Sequence, residues 1–185
     1  MKTINHNAFC ECFSLISINL PSSVYNFGSS SFGLCSSLKS INIPDGVNIL
    51  RESIFYCCSS LTSLNIPNSV TFISNYALYG CNSLVSINIP CNVSNIESYA
   101  FYNCSSLLSI NIPSKMKAIG DFAFCNCSSL KFVNFNTLTF DIGKSLFNNC
   151  SSLTSIVIKG QGDMKNFSDS IIPPWNSFKL QIKTV

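Results

Sequence analysis

A β-rich solenoid, one coil wound upon the next, is the fold class this sequence predicts, and three observations predict it. Cysteines recur every 23 residues, at Cys12, Cys35, Cys58, Cys81, Cys104, Cys127 and Cys150. Each opens nearly the same phrase, as in Cys104-Ser105-Ser106-Leu107-Leu108-Ser109-Ile110-Asn111-Ile112-Pro113. Several apolar rows keep step with the cysteines along the chain. A fixed period of this length marks stacked repeats, because one repeat cannot bury its apolar side alone.

The first element of each coil is a short strand. Ile18, Ile41, Leu64, Ile87, Ile110, Val133 and Ile156 alternate with a polar row and then with Leu20, Ile43, Ile66, Ile89, Ile112, Phe135 and Ile158. Alternation of apolar and polar residues is the pattern of a half-buried strand. The leucine that precedes it, Leu107 in the phrase above, completes an LxxLxL core. Pro21, Pro44, Pro67, Pro90 and Pro113 then end the strand, since proline cannot donate to a ladder. Val24, Val47, Val70, Val93 and Met116 follow, and three residues later Phe27, Leu50, Ile73, Ile96 and Ile119, again expected to point inward.

The next row, Phe9, Phe32, Phe55, Leu78, Phe101, Phe124 and Phe147, predicts an aromatic stack inside the coil. The small residue before it (Ala8, Ser31, Ala77, Ala100, Ala123) permits a tight turn or a single helical turn. The Cys-Ser-Ser segment returns the chain to the strand, its hydroxyls bonding loop backbone. The seven strands are expected to form one parallel sheet. Residues 1–158 therefore read as seven coils, the first incomplete and without a clear N-terminal cap. Residues 159–185 read as a C-terminal capping segment, with Phe178–Ile182 as a last strand and Trp175 packed on the final coil.

Composition narrows the function classes. Charged residues are 10% of the 185, with a net charge of +3, which offers no basic stripe for nucleic acid. No apolar run reaches the roughly 18 residues of a membrane span, and Met1–His6 does not read as a secretory leader. Eleven cysteines, one per coil plus Cys10, Cys57, Cys91 and Cys125, read as reduced structural thiols. Zinc is not expected, because the close pairs lack C-x2-4-C spacing. Catalysis has one histidine, His6, with Cys10 nearest in sequence, and no cofactor motif is present. The sequons, such as Asn103-Cys104-Ser105, fall out of the repeat phrase itself.

The words Ala100-Phe101-Tyr102-Asn103-Cys104 and Ala123-Phe124-Cys125-Asn126-Cys127, with LxxLxL and the closing Ile-Pro, resemble the BspA-like (Treponema pallidum type) leucine-rich repeats. The resemblance covers roughly residues 4–158. Asn136 and Lys159 depart from it in place of Pro, and Val157 in place of Asn. It implies a right-handed leucine-rich-repeat solenoid with its parallel sheet on the concave face. It also implies a non-catalytic module that binds a protein, a glycan or a host-cell surface component on that face.

The outward rows of the sheet are then the candidate site. One is Ser17, Ser40, Ser63, Ser86, Ser109, Phe132 and Ser155; a second is Asn19, Asn42, Asn65, Asn88, Asn111 and Asn134. Beside them run Ile16, Lys39, Thr62, Val85, Leu108, Lys131 and Thr154. A uniform asparagine row is expected to bond to itself as an amide ladder. The breaks in the pattern carry more information, so Lys39, Val85, Leu108, Lys131 and Phe132, with Asn65, Asn88, Asn111 and Asn134, are the predicted partner-binding residues. Phe132, an aromatic in a row of serines, is the expected anchor. Competing expectations are an intracellular scaffold using the same face, a fragment of a larger surface repeat protein, and end-to-end self-association through the first coil.

Overall fold

The computed structural model describes residues 1–137, 140–159 and 181–184. It is a parallel-strand solenoid of about seven turns, with no helix among the described residues. The first row of strands runs through Ser17–Ile18, Ser40–Ile41, Ser63–Asn65, Ser86–Asn88, Ser109–Ile112, Phe132–Phe135 and Ser155–Ile158. Equivalent residues pair in register, Ser109 with Phe132 and Phe132 with Ser155. Gln181–Thr184 adds a further parallel strand beside Ser155–Ile158. The expected positions of Trp175 and of the loops before it lie outside the described residues.

The single continuous sheet expected from the sequence is divided. Its strands are two residues long in the early coils and four in the late ones, and they group as two, two and four. One row of backbone bonds nevertheless crosses every coil just before the strands. Lys39 N donates to Ile16 O at 2.9 Å, Val85 to Thr62 at 3.2 Å, Leu108 to Val85 at 3.1 Å and Lys131 to Leu108 at 2.9 Å. The strand face is therefore one surface.

A second parallel ladder occupies another side of the coil. Ile49–Leu50, Phe72–Ile73, Asn95–Ile96, Ala118–Ile119 and Asp141–Ile142 form a five-stranded sheet, and Thr3–Ile4 pairs with Asn26–Phe27. Its inward residues Phe27, Leu50, Ile73, Ile96 and Ile119 are buried.

The remaining side of the coil is built from turns rather than a helical turn. Two residues per coil have positive φ, four apart, among them Tyr76 (57°), Gly80 (70°), Tyr99 (60°) and Asn103 (58°). Local bonds close the turns, Ala77 N to Ser74 O at 3.3 Å and Cys81 N to Leu78 O at 3.2 Å. The positive φ sits at the third residue of each turn, where type II geometry places it. The alternate N–H groups reach to the following coil, Tyr76 to Ser98 O at 3.2 Å, Leu78 to Ala100 O at 2.8 Å and Gly80 to Tyr102 O at 2.8 Å. Every second donor thus ties one coil to the next, which answers where the turn's backbone bonds go.

The core is one cluster along the whole stack. The phenylalanine row stacks as expected, Phe9 on Phe32 at 5.3 Å, Phe32 on Phe55 at 5.8 Å, Phe101 on Phe124 at 5.1 Å and Phe124 on Phe147 at 5.8 Å. Leu78 interrupts it. The cysteine row has a second task beyond filling space. Each buried thiol donates to the carbonyl of the aromatic-row residue in the preceding coil: Cys58 to Phe32 O at 3.1 Å, Cys81 to Phe55 O, Cys104 to Leu78 O and Cys127 to Phe101 O, each at 3.3 Å. That carbonyl already accepts a turn N–H, so the thiol takes its remaining lone pair. Burial holds these thiols protonated, pushing Cys104 up to about 12 and raising Cys81 and Cys127 well above the ordinary range.

Candidate functional site

The strands hold two outward rows because their inward partners are locked in the core. Ile110 and Ile112 are buried, and Ser109 and Asn111, which alternate with them, face out. The same alternation exposes Phe132 and buries Val133 and Phe135. The residue before each strand also faces out, since it directly follows the buried leucine. Of the residues predicted from sequence, Lys39, Val85, Leu108, Lys131, Phe132, Asn65, Asn88 and Asn111 are exposed and Asn134 is half-buried.

The chain positions bring the apolar breaks together. Val85 and Leu108 are consecutive in one row, joined by a backbone bond, and Phe132 pairs with Ser109, the neighbour of Leu108. Their exposures of 42%, 43% and 50% show large apolar side chains held in solvent. Ile16, at 57%, lies in the same row, but Lys39 and Thr62 separate it from Val85.

The amide ladder forms at one step. Asn134 Nδ2 donates to Asn111 Oδ1 at 2.7 Å. Among the described residues, no corresponding bond joins Asn42, Asn65 and Asn88. A period of about 4.8 Å between strands does not force one amide onto the next, and solvent competes for exposed groups. Beside this row the turn after the strand opens a shallow groove of about 350 Å³. Asn68, Asn88, Asn111 and Asn136 line it together with Pro90 and Pro113. Sequence reasoning did not single out Asn68 or Asn136, although Asn136 was visible as the residue in place of a proline.

Two columns of rings were also missed. Tyr56, Tyr79 and Tyr102 stack at 4.9 and 4.8 Å, and Tyr76, Tyr99 and Phe122 stack at 5.1 Å per step. Tilted contacts at 5.9 and 5.6 Å join the columns. Asn126 Nδ2 caps one end by donating to Tyr102 Oη at 2.7 Å. The signal was a tyrosine recurring at the repeat period. The rings are half-buried against one another, which makes this plate a clamp between coils.

His6 is engaged structurally: its Nδ1 accepts from Ser29 N at 3.2 Å. Among the described residues, no group of three or more His, Cys, Asp or Glu side chains is placed to hold a metal. No helix among them is long and apolar enough to cross a membrane.

The BspA-type leucine-rich repeat region matches in six copies over residues 2–117 and 94–172. The chain belongs to the BspA-type leucine-rich repeat family. A leucine-rich repeat protein of T. pallidum is 32% identical, with a TM-score of 0.79 over 83% of this chain and 72% of that one. A leucine-rich repeat protein from Bacteroides ovatus ATCC 8483 superposes with a TM-score of 0.82 at 23% identity, and the pneumococcal vaccine antigen PcpA with 0.61 at 21%. Both cover all of this chain, which spans about half of theirs, 52% and 54%. None of the curated proteins matches. A repeat protein of this family serves protein interaction, and the family and its fold are typically non-catalytic.

Proposed function

We propose that this chain is a recognition module that holds a protein partner on its strand face, centred on Val85, Leu108 and Phe132. The observation that carries the reading is these three large apolar side chains, exposed on neighbouring coils whose other outward residues are serine, asparagine and Lys131. A solvated apolar cluster on an otherwise polar surface supports an interaction site. Lys39 and Lys131 add charge at its borders, and the amides of Asn65, Asn88, Asn111 and Asn134 supply donors and acceptors beside it. Such a face suits display at a cell surface.

One observation favours an intracellular scaffold instead. The buried thiols donate hydrogen bonds, which only the reduced form provides, and reduced thiols suit the cytosol. Labelling of intact cells with an impermeant reagent separates the two locations: labelled protein supports display, and unlabelled protein supports the scaffold. The face itself is tested by capture. Phe132→Ala is expected to leave the unfolding midpoint unchanged and to weaken retention of the partner about tenfold or more, the loss of an aromatic anchor. Unchanged retention would remove the site from this face. A partner released by glycosidase rather than by protease would make it a glycan.

A further inference from the structure

The strand face has a direction as well as an apolar centre. The row before the strands reads Lys39, Thr62, Val85, Leu108, Lys131, one residue per coil. Four steps of about 4.8 Å set the two lysines roughly 19 Å apart. Both are exposed, and the three outward rows contain no carboxylate in any coil. Asp45 stands beyond them, in the turn after the strand Ser40–Ile41. A cation therefore lies at each end of a strip, Thr62, Val85 and Leu108, that carries no charge of its own.

The second row supplies something different. Asn65 and Asn88 spend their amides on no other side chain among the described residues, and Asn111 and Asn134 spend one bond on each other. An amide carries both a donor and an acceptor, the pair an extended peptide backbone directs sideways at each residue. The serine row between the two is low and polar from Ser40 to Ser109, a floor on which a main chain can lie, and Phe132 ends that floor.

We infer that the face takes an extended polypeptide segment running along the solenoid axis, with alternating apolar residues bracketed by a carboxylate at each end. The inference rests on the strand-face reading and names its ligand class. The spacing carries it. An extended chain rises about 3.3 Å per residue and turns every second side chain to the same side, so residues one and seven stand about 20 Å apart and face one surface together. Placed with its acids on Lys39 and Lys131, such a segment sets residue three, about 6.6 Å along, between Thr62 and Val85, and residue five, about 13 Å along, beside Leu108, with the ring of Phe132 level with residue seven. Its backbone then lies beside the amides of Asn65, Asn88 and Asn111. A folded partner presents the same segment only where it has a free edge strand.

The test uses a blocked, fluorescently labelled heptapeptide with glutamate at positions one and seven, leucine at three and five, and serine elsewhere. A second peptide carries lysine in place of both glutamates. Anisotropy titration is expected to show saturable binding of the acidic peptide at least about tenfold tighter than the basic one. Added salt is expected to narrow the gap, because both lysines are exposed. In the double variant K39E/K131E the order of the two peptides is expected to invert. Equal affinity for the two peptides, or no saturable binding of either, would overturn the inference. If Phe132→Ala still abolishes partner capture in that case, the strand-face reading stands and only the peptide class falls. If capture is also indifferent to Phe132→Ala, both fall.

Discussion

At the residue scale, each repeat position has a defined chemical role, and its exceptions show what the role costs. Ser31 occupies the small-residue row that is alanine at four other coils. It is fully buried and its hydroxyl has no hydrogen-bond partner. An unpaired buried polar group costs about 1–3 kcal/mol, so Ser31→Ala is expected to stabilise the protein by about 1 kcal/mol in a denaturant titration. A lower midpoint would mean that the hydroxyl is satisfied after all.

The thiol column gives a pH dependence with a definite sign. Burial raises Cys104 to about 12, whereas an unfolded thiol titrates near about 8.5. The unfolded chain therefore loses its protons first as pH rises. The column's contribution is complete below about pH 8.5 and declines as pH climbs toward about 12. Unfolding followed at pH 8 and at pH 10.5 should give a lower midpoint at the higher pH, with Cys104→Ala reducing the difference. An unchanged midpoint would contradict burial of the protonated column.

At the scale of elements, stability is unevenly distributed along the stack. The tyrosine plate clamps the third to the sixth coil, and the first two coils lack it. Tyr79 sits at its centre, stacked on Tyr56 and Tyr102 and in tilted contact with Tyr76. Aromatic pairs contribute about 0.5–1.5 kcal/mol beyond area burial. Tyr79→Ala should therefore cost about 2–4 kcal/mol by that scale, whereas Tyr25→Ala, at an exposed ring, should cost little. Equal losses would deny the clamp.

Legibility follows the same division. The rows of Leu, Ile, Phe and Cys were readable because inward positions tolerate few residue types, so the period shows through. Strands of two residues such as Ile49–Leu50 and Phe72–Ile73 are too short to alternate, and only their inward member was visible. The turns were obscured for another reason. Tyr76, Tyr99, Phe122, Leu34 and Cys57 all hold positive φ, a conformation that glycine or asparagine would have advertised. Bonding to the next coil holds them there, and a single repeat does not contain that partner. The exposed face was legible by parity alone, but the unspent amides of Asn65 and Asn88 required the side-chain geometry.

At the scale of the whole molecule, two properties separate. The repeat specifies a continuous core in which every coil bonds its neighbours through thiols, turn amides and strand amides. Recognition is assigned to the positions where the outward rows depart from the repeat, and those positions contribute little to the core. The most direct test is hydroxyl-radical footprinting of side chains with and without the captured partner. Labelling of Val85, Leu108 and Phe132 is predicted to fall on binding, while the exposed Phe13 and Tyr25 stay labelled. Protection of Tyr25 with Phe132 unchanged would contradict the assignment of recognition to the strand face.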